Sequence, residues 1–273
     1  MITFPNAKIN LGLTILNKRE DGFHNLETIF LPIHIKDVLE IIPSEKFEFN
    51  TSGNTIDVKP EENICTKAYR LLKKDFPDLP AAKIHLHKAT PLGAGLGGGS
   101  ADGAFTLKLL NQKFNLNLST IQLINYALQL GSDCPFFIYN TPSIASGRGE
   151  ILEEVNLDLS CYKIIVVNPG IHINTGWAFT QLTPALPSKS IKNIIHQPVT
   201  TWKDELKNDF EEPVFKQHPE IKSIKDELYK KGSIYASMSG SGSSVYGIFK
   251  KEETLKLSFP ENFFVREILL SHF

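Results

Sequence analysis

The sequence predicts an α+β protein, because strand patterns and helix patterns are mixed along the chain without a regular β-α-β alternation. Alternating apolar and polar residues fill the first fifty positions, amphipathic helical spacing begins near residue 63, and strand patterns return in the last third. At 273 residues the chain is long enough for one large or two modest domains. A loop is expected at residues 143–150, SIASGRGE, which gives predicted domains of residues 1–150 and 151–273.

Composition excludes several classes of protein. The chain is 41% hydrophobic and 22% charged with a net charge of −1, which argues against a nucleic-acid or membrane-surface partner. Its three cysteines are far apart and odd in number, so neither a disulfide framework nor metal-ligand spacing is indicated. We see no signal peptide and no run of 18 apolar residues, and we expect a cytoplasmic location.

The first half of the chain predicts four strands, a helix and a fifth strand. Residues 7–17 alternate, with Ile9, Leu11 and Leu13 on one face. The segments NLETIFLPIHI, DVLEII and KFEFNTSGN continue the strand pattern, the last ending in a turn signal. Residues 63–75 have helical spacing, and AKIHLHKAT returns to a strand.

The second half predicts three helices and four strands. A helical stripe follows residue 100 and places Ala101, Ala104, Phe105 and Leu109 on one face. The next helix should be capped by Ser119 and end at Gly131. Then come a buried strand, YKIIVVNPG, a helix that closes on Gly232, a strand–glycine turn–strand unit, IYASMSGSGSSVYGIF, and a last strand, FFVREILL.

The segment PLGAGLGGGSADGA, residues 91–104, carries five glycines directly before a predicted helix. Glycine permits a positive φ and a close backbone approach, and a helix N-terminus offers unpaired N–H groups, so this segment predicts a phosphate site with Ser100 at or near the N-cap. No lysine follows as in a Walker A loop. The letters G-x-G-x-x-G lack the acidic partner of a dinucleotide fold, because residues 113–115 are KFN. A flexible surface loop is the structural alternative.

The glycine segment resembles the second motif of the GHMP kinases. The first motif corresponds to NAKINLGL, residues 6–13, and the third to SMSGSGSSVYGIF, residues 237–249, in family order and at family separations. The resemblance covers essentially the whole chain. It implies a two-domain GHMP kinase fold: an N-terminal ATP-binding domain (ribosomal protein S5 domain 2-like), a C-terminal ferredoxin-like α/β sandwich, and an active site in the cleft between them.

Two further segments, AKINLGLTILNKREDGFHNLETIF and GSDCPFF, resemble one branch of this family. That branch phosphorylates the 2-hydroxyl of 4-diphosphocytidyl-2-C-methyl-D-erythritol in the non-mevalonate route to isopentenyl diphosphate and terpenoids. The resemblance therefore implies ATP and Mg²⁺ as cofactors, although it identifies no protein ligand for the Mg²⁺ ion. It also implies a small-molecule substrate that carries a cytidine diphosphate group, and a protein that is a monomer or a homodimer. The family's usual Tyr in D-G-Y-H is Phe23 here, so the ring is kept and a hydroxyl is lost.

Two alternatives stay open at this point. One is another GHMP kinase that acts on mevalonate, homoserine or a sugar. The other is a nucleotide-binding protein without catalysis.

The resemblance assigns catalysis to Asp133 as the base and to Lys8 as its electrostatic partner. An ammonium group beside the carboxylate would keep the carboxylate ionised and would offset charge on the transferred phosphoryl group. The structural alternatives are an Asx-type turn residue for Asp133 and a solvated strand lysine for Lys8.

The resemblance also assigns the two binding sites. For ATP it implies Asn63, Ile64, Lys88, Pro91, Leu92, Gly93, Ala94, Gly95, Leu96, Gly97, Gly98, Gly99, Ser100 and Ala101. Asn63 and Ile64 could instead be a helix start and a core residue, and Lys88 could contact phosphate or be a solvated strand lysine. For the substrate it implies stacking by Phe23 and Phe179, Phe30 near the nucleoside, hydrogen bonds from His24 to cytosine, and polar contacts from Asn10 and Thr175. Thr175 would also cap a helix.

Overall fold

The computed structural model describes residues 1–270, which form the following elements. The strands are β1 (Ile2–Thr3), β2 (Asn6–Lys18), β3 (His24–Lys36), β4 (Val38–Pro43), β5 (Glu48–Gly53), β6 (Ala82–Lys88), β7 (Ser143–Ser146), β8 (Ile151–Glu154), β9 (Tyr162–Asn168), β10 (Tyr235–Met238), β11 (Val245–Lys250) and β12 (Phe264–Leu269). The helices are α1 (Ile64–Asp75), α2 (Gly98–Lys113), α3 (Thr120–Leu130), α4 (Cys134–Tyr139), α5 (Thr175–Thr180), α6 (Ile191–Ile195), α7 (Trp202–Glu205), α8 (Glu211–Gln217) and α9 (Pro219–Lys230).

The chain divides into two compact units that do not follow chain order. Unit 1 contains Met1–Ala7, His34–Leu92 and Gly97–Thr141, and unit 2 contains Lys8–Ile33, Gly93–Leu96 and the chain from Pro142 onward. The glycine segment is therefore shared, with residues 93–96 in unit 2 and its later glycines in unit 1. The domain boundary near residue 150 stays a prediction.

Unit 1 is a four-stranded sheet covered by helices. Its strand order is β1-β4-β6-β5, with β4 antiparallel and β5 parallel to β6. Helix α2 contacts β1, β4, α1, α3 and α4. Because α2 has neighbours on several sides, nine of its residues are buried, more than the single predicted stripe.

Unit 2 contains two four-stranded sheets, with orders β2-β3-β7-β8 and β10-β11-β9-β12. Strand β9 lies between β11 and β12, antiparallel to both, and its residues 163–168 are buried, as an apolar run between two strands predicts. Helix α9 packs on β11 through Ile221, Ile224 and Leu228. No helix of residues 1–270 is long and apolar enough to span a membrane.

Most predicted elements are confirmed, including the capping box of α3 at Ser119 and the end of that helix at Gly131. Ser100, predicted at or near the N-cap, is the third residue of α2, and the N-cap itself is Gly97 in a left-handed conformation (φ +68°). Two local predictions are wrong. Residues 143–150 are not all loop, because β7 begins at Ser143 and pairs with β3. Asn174 rather than Thr175 caps α5, because its side chain accepts the Trp177 N–H.

Candidate active site

Two glycine motifs, whose contacting residues are 144 positions apart in the chain, meet in unit 2 through their backbones. Gly95 has a φ of +76°, and a Cβ atom built on it would overlap the carbonyl oxygen of Ser239. The Ser239 hydroxyl donates a hydrogen bond of 2.8 Å to the Gly95 carbonyl, and the Ser244 N–H donates one of 3.1 Å to the Ala94 carbonyl. The first part of the glycine segment is therefore held in one conformation, so the flexible-loop alternative is wrong for these residues.

Lys8 lies against the same segment and is only 4% exposed. Its Nζ donates to Asn10 Oδ1 at 2.6 Å and to the Gly95 carbonyl at 3.3 Å, and it lies 4.9 Å from the centroid of the Phe30 ring. The backbone N–H of Lys8 also donates to the Leu96 carbonyl at 2.9 Å. The solvated-lysine alternative is therefore wrong, and the ammonium group is fixed beside the glycine segment.

Asn10 orients this lysine and is itself fixed on every side. Its Nδ2 donates to the Thr28 hydroxyl at 2.9 Å, its backbone N–H donates to the Ser239 hydroxyl at 3.2 Å, and its carbonyl accepts from the Tyr246 hydroxyl at 2.8 Å. Asn10 is 2% exposed, and its Oδ1 accepts the hydrogen bond from the Lys8 ammonium. A contact between Asn10 and the substrate stays a prediction.

The later glycines form the N-terminus of α2 in unit 1. The Ala101 N–H donates to the Gly97 carbonyl at 2.9 Å, so the preceding amides of Gly98, Gly99 and Ser100 have no acceptor within the helix. Gly99 is exposed, and no atom lies within 4 Å of where its Cβ would be. Three adjacent N–H groups at the positive end of a 16-residue helix are suited to a phosphate.

Lys88 lies beneath this helix start and is 1% exposed, so its solvated alternative is wrong. Its Nζ donates to Asp37 Oδ2 and to Asp102 Oδ2, each at 2.6 Å. Asp37 Oδ1 accepts two backbone N–H groups, those of Ala89 and Thr90. Burial raises the pKa of Asp102 to about 7, although the nearby Lys88 ammonium lowers it. These contacts do not test whether Lys88 reaches phosphate, which the sequence offered as one of two roles.

Asn63 starts a helix, as its structural alternative predicts, whereas Ile64 is half-buried and does not belong to the buried core. The Asn63 side chain caps α1 by accepting the Cys65 N–H at 2.9 Å. Ile64 packs on Gly103 so closely that a Cβ there would lie 2.7 Å from its Cγ1. Their contacts with ATP stay predictions.

Asp133 stands at the junction between α3 and α4. Gly131 ends α3, and Asp133 occupies the N-cap position of α4 with Pro135 in the first turn. Its side chain makes no capping hydrogen bond to α4, so capping does not explain the carboxylate. Its role as the catalytic base stays a prediction.

The aromatic residues predicted to hold cytosine lie in unit 2. The rings of His24 and Phe179 are stacked, with centroids 4.9 Å apart and planes 16° apart, and Phe210 meets Phe179 edge-on at 4.9 Å. Phe23 is 52% exposed, whereas Phe30 is 3% exposed beside Lys8. Burial, and to a lesser extent Lys18, lowers the pKa of His24, which favours a neutral imidazole.

Thr175 is exposed, and its hydroxyl lies 2.9 Å from that of Ser241 in the third motif. Stacking on Phe23 and Phe179, and polar contact from Thr175, stay predictions.

Sequence reasoning missed three charged residues. Asp102 lies within the glycine segment, residues 91–104. A carboxylate among small and apolar helical residues is the feature of the sequence that could have identified it. Asp37 sits between two strands and carries no comparable signal. Arg148 places its guanidinium 4.8 Å from the centroid of Phe23, and Glu150 holds it by a hydrogen bond of 3.4 Å.

Residues 1–270 include no group of three His, Cys, Asp or Glu side chains that could hold a metal ion.

Comparison with known proteins shows the same family over the whole fold. The model of the GHMP kinases N terminal domain matches residues 63–141, and that of the GHMP kinases C terminal domain matches residues 190–258. The 4-diphosphocytidyl-2-C-methyl-D-erythritol kinase of Bacteroides fragilis is 53% identical over 268 residues, which cover 96% of this chain and 97% of that protein. The chain belongs to the 4-diphosphocytidyl-2-C-methyl-D-erythritol kinases, a branch of the GHMP kinases.

Further relatives agree with this membership. The kinase of the same description from Bacteroides thetaiotaomicron is 54% identical over 259 residues, covering 93% of this chain and 94% of that one. A crystal structure of 4-(cytidine 5'-diphospho)-2C-methyl-D-erythritol kinase superposes with a TM-score of 0.76 at 30% identity, covering 90% of this chain and 89% of that one. A homoserine kinase from Cytophaga hutchinsonii has a TM-score of 0.69 at 13% identity, covering 96% and 94% of the two chains, and shares the fold alone. The two-domain GHMP kinase fold is thus confirmed.

Proposed function

We propose that the chain transfers the γ-phosphoryl group of ATP to the 2-hydroxyl of 4-diphosphocytidyl-2-C-methyl-D-erythritol. The observation that carries this proposal is the identity of more than half of the residues to kinases of that name over nearly the full length of both chains. Two features support it: the fixed ammonium of Lys8 beside the glycine segment, and the amides at the start of α2 that have no acceptor within the helix.

In the proposed reaction Asp133 accepts the proton of the substrate hydroxyl as its oxygen attacks the γ-phosphorus. The bond between the γ-phosphorus and the bridging oxygen breaks, and ADP leaves with the electron pair. Lys8 offsets the negative charge that spreads over the transferred group. Phosphoryl transfer needs little more from a protein than such positioning and charge neutralisation.

For ATP, the proposal uses backbone groups of residues 91–101, with Asn63 and Ile64 near the adenine. Ala94 and Leu96 are only 2% and 1% exposed, and their carbonyls accept the N–H groups of Ser244 and Lys8, so the contacts with ATP would come mainly from the other residues of this segment. Mg²⁺ would enter the site bound to the phosphates, because this ion usually retains several water ligands and takes further ligands from substrate phosphate oxygens.

For the cytidine group, the proposal uses Phe23 and Phe179 as stacking surfaces and His24 as a hydrogen-bonding partner. Arg148 covers one face of Phe23, so the base stacks on the other face, or Arg148 moves aside. Phe30 is buried beside Lys8, which favours a supporting role near the nucleoside rather than a stack. Asn10 and Thr175 complete the proposed substrate contacts. We further propose a cytoplasmic enzyme that acts as a monomer or homodimer.

A panel of alcohol acceptors tests the proposal. Purified protein with Mg-ATP should phosphorylate 4-diphosphocytidyl-2-C-methyl-D-erythritol, and methylerythritol without the cytidine group should be a very poor acceptor, because the remote nucleotide positions the reacting hydroxyl. CDP should compete with this substrate and not with ATP. Efficient phosphorylation of mevalonate or homoserine, with no competition by CDP, would overturn the substrate assignment. ATP binding with no turnover on any acceptor would favour a non-catalytic nucleotide-binding protein.

A further inference from the structure

Unit 1 contains a buried group of three charged side chains that the proposed reaction does not use directly. Lys88, Asp37 and Asp102 are each at most 2% exposed, and the lysine ammonium donates to one oxygen of each carboxylate at 2.6 Å. We call these three residues the charge cluster. A buried ion pair with such short contacts ties together the segments that carry its members.

The three members come from three different parts of the fold. Lys88 is the last residue of β6, Asp37 lies between β3 and β4, and Asp102 lies in the second turn of α2. Asp37 also accepts the N–H groups of Ala89 and Thr90, at 2.7 Å and 2.8 Å, which fixes the chain just before the glycine segment. The cluster therefore links the end of β6 to the beginning of α2.

The charge cluster also packs against Gly98, the first residue of α2, at the end of the helix proposed to bind phosphate. A Cβ atom built on Gly98 would lie 3.0 Å from Lys88 Nζ and 3.0 Å from Thr90 Cγ2. The inner side of the first helical residue thus rests on the cluster. Because the Lys88 ammonium is 1% exposed and engaged by two carboxylates, it lies on the inner side of Gly98 and is not directed to solvent.

We propose that Lys88 and Asp102 are positioning residues, which hold the first turn of α2 so that the amides of Gly98, Gly99 and Ser100 are arranged for the phosphates before ATP binds. In this proposal, which rests on the proposed function, Lys88 does not contact the nucleotide. Its charge acts through Asp102. Pre-arranged donors raise affinity because less ordering remains when the ligand binds.

The test compares variants by the affinity for Mg-ADP and for CDP, each measured by titration calorimetry. Lys88→Met and Asp102→Ala should each raise the Kd for Mg-ADP about tenfold, within the usual range for coupling between sites. The Kd for CDP should stay within twofold. The double variant should raise the Kd for Mg-ADP by much less than the product of the two single fold-changes, because both substitutions remove the same link. Asp102→Asn, which keeps an oxygen acceptor for Lys88, should restore most of the affinity.

Leu110→Ala is the matched control, because Leu110 is fully buried on the same helix far from its N-terminus. It should lower the thermal midpoint without changing the Kd for Mg-ADP. Should Lys88→Met fail to fold, Asp102→Ala and Asp102→Asn still decide the question.

Three outcomes would contradict the inference. If Asp102→Ala leaves Mg-ADP affinity within twofold while Lys88→Met loses it, Lys88 contacts the nucleotide itself. If both variants lower only the thermal midpoint, as Leu110→Ala does, the cluster is purely structural. If Asp102→Asn binds Mg-ADP as weakly as Asp102→Ala, the link through Lys88 is not what matters. Failure of the wild-type protein to bind Mg-ADP would instead contradict the proposed function.

Discussion

Gly95 and Ser239 approach so closely that a Cβ atom on the glycine would overlap the serine carbonyl oxygen. Ser239 also returns a hydrogen bond from its hydroxyl to the Gly95 carbonyl. The two residues belong to motifs on different parts of the chain, 144 residues apart, and each fixes the backbone of the other. Lys8, which donates to the same carbonyl, depends on this arrangement for its position.

Gly95→Ala should therefore lower both stability and turnover. The added methyl group must displace the Ser239 backbone, and φ at this position is +76°, which strains any L side chain. We expect more than about 3 kcal/mol of destabilisation in urea unfolding, in the range of severe single substitutions. Gly99→Ala is the control, because that helical position is open; it should be neutral or stabilising by about 0.5–1 kcal/mol. Similar stabilities for the two variants would refute the packing argument.

Lys8→Met should lower kcat more than it raises KM for either substrate, because the contribution of the ammonium is greatest in the transition state. Steady-state kinetics with both substrates varied gives the two parameters. Lys163→Met provides a control for loss of a buried lysine, since Lys163 is also 4% exposed in unit 2 but lies on β9 and pairs with Glu267. If Lys8→Met raised only KM, Lys8 would be a binding residue.

Asp133→Asn should keep ATP binding and the fold but lose most of the turnover. Removal of a general base costs on the order of 10²–10⁴ in rate. The measurements are kcat and the Kd for Mg-ADP. Asp75→Asn, which alters an exposed hydrogen bond with Tyr126 in the same unit, should leave kcat unchanged. Near-normal turnover by Asp133→Asn would rule out its role as the base.

Phe179→Leu should weaken CDP binding by about 1–3 kcal/mol, the usual scale for one base–aromatic stack. Leucine keeps much of the apolar volume but removes the flat ring. Phe210→Leu removes a ring that meets Phe179 only edge-on and is 2% exposed, so it should reduce stability and spare CDP affinity. Calorimetric titration with CDP distinguishes the two. Equal losses of affinity would mean that packing, and not stacking, holds the base.

Asp102→Asn should stabilise unit 1 at pH 8 and lose this advantage toward pH 5. Burial raises the pKa of Asp102 to about 7, above its ordinary value of 3.8. A carboxyl whose pKa is raised by folding favours the folded state below its unfolded pKa, and this contribution is lost as pH rises through about 7. The substitution removes an ionised, incompletely paired carboxylate, since Asp102 Oδ1 has no hydrogen-bond partner among residues 1–270.

We expect the stability of Asp102→Asn relative to the wild type to improve from pH 5 to pH 8 by an amount on the order of 1–3 kcal/mol, because the wild-type carboxyl ionises across this range at a cost set by its raised pKa. Urea unfolding at both pH values measures it. Asp37→Asn should destabilise the protein at both pH values, because Asp37 accepts hydrogen bonds from two backbone N–H groups and from the Lys88 ammonium. An advantage of Asp102→Asn that grew toward pH 5 would contradict the direction of the pKa shift.

Local patterns predicted the elements well, because their signals lie within a few residues. Ser119 and Gly131 bound α3 as expected, and the alternation in residues 7–17 corresponds to β2. Strand β8, the short helix α4 and the start of β7 were missed, since each spans four to six residues and depends on pairing or packing with distant segments.

For the candidate site, sequence indicated which residues matter better than it indicated what they touch. It selected both glycine motifs but not their backbone contact, which depends on long-range folding. From the sequence alone, a solvated strand lysine was an alternative for both Lys8 and Lys88. Both are buried, because other segments contribute oxygen atoms that accept hydrogen bonds from each ammonium group. The acidic partners of Lys88 are 51 and 14 residues away, beyond the reach of any local pattern.

The close fit between Gly95 and Ser239 also bears on drug resistance. A compound that bound this chain through the backbone of Gly95 would contact a position where any substitution adds a side chain that cannot be accommodated. Resistance through an inhibitor contact requires a substitution that the enzyme tolerates. At this position that route is closed, because the mutation that removes the drug contact also dislodges the loop that holds Lys8.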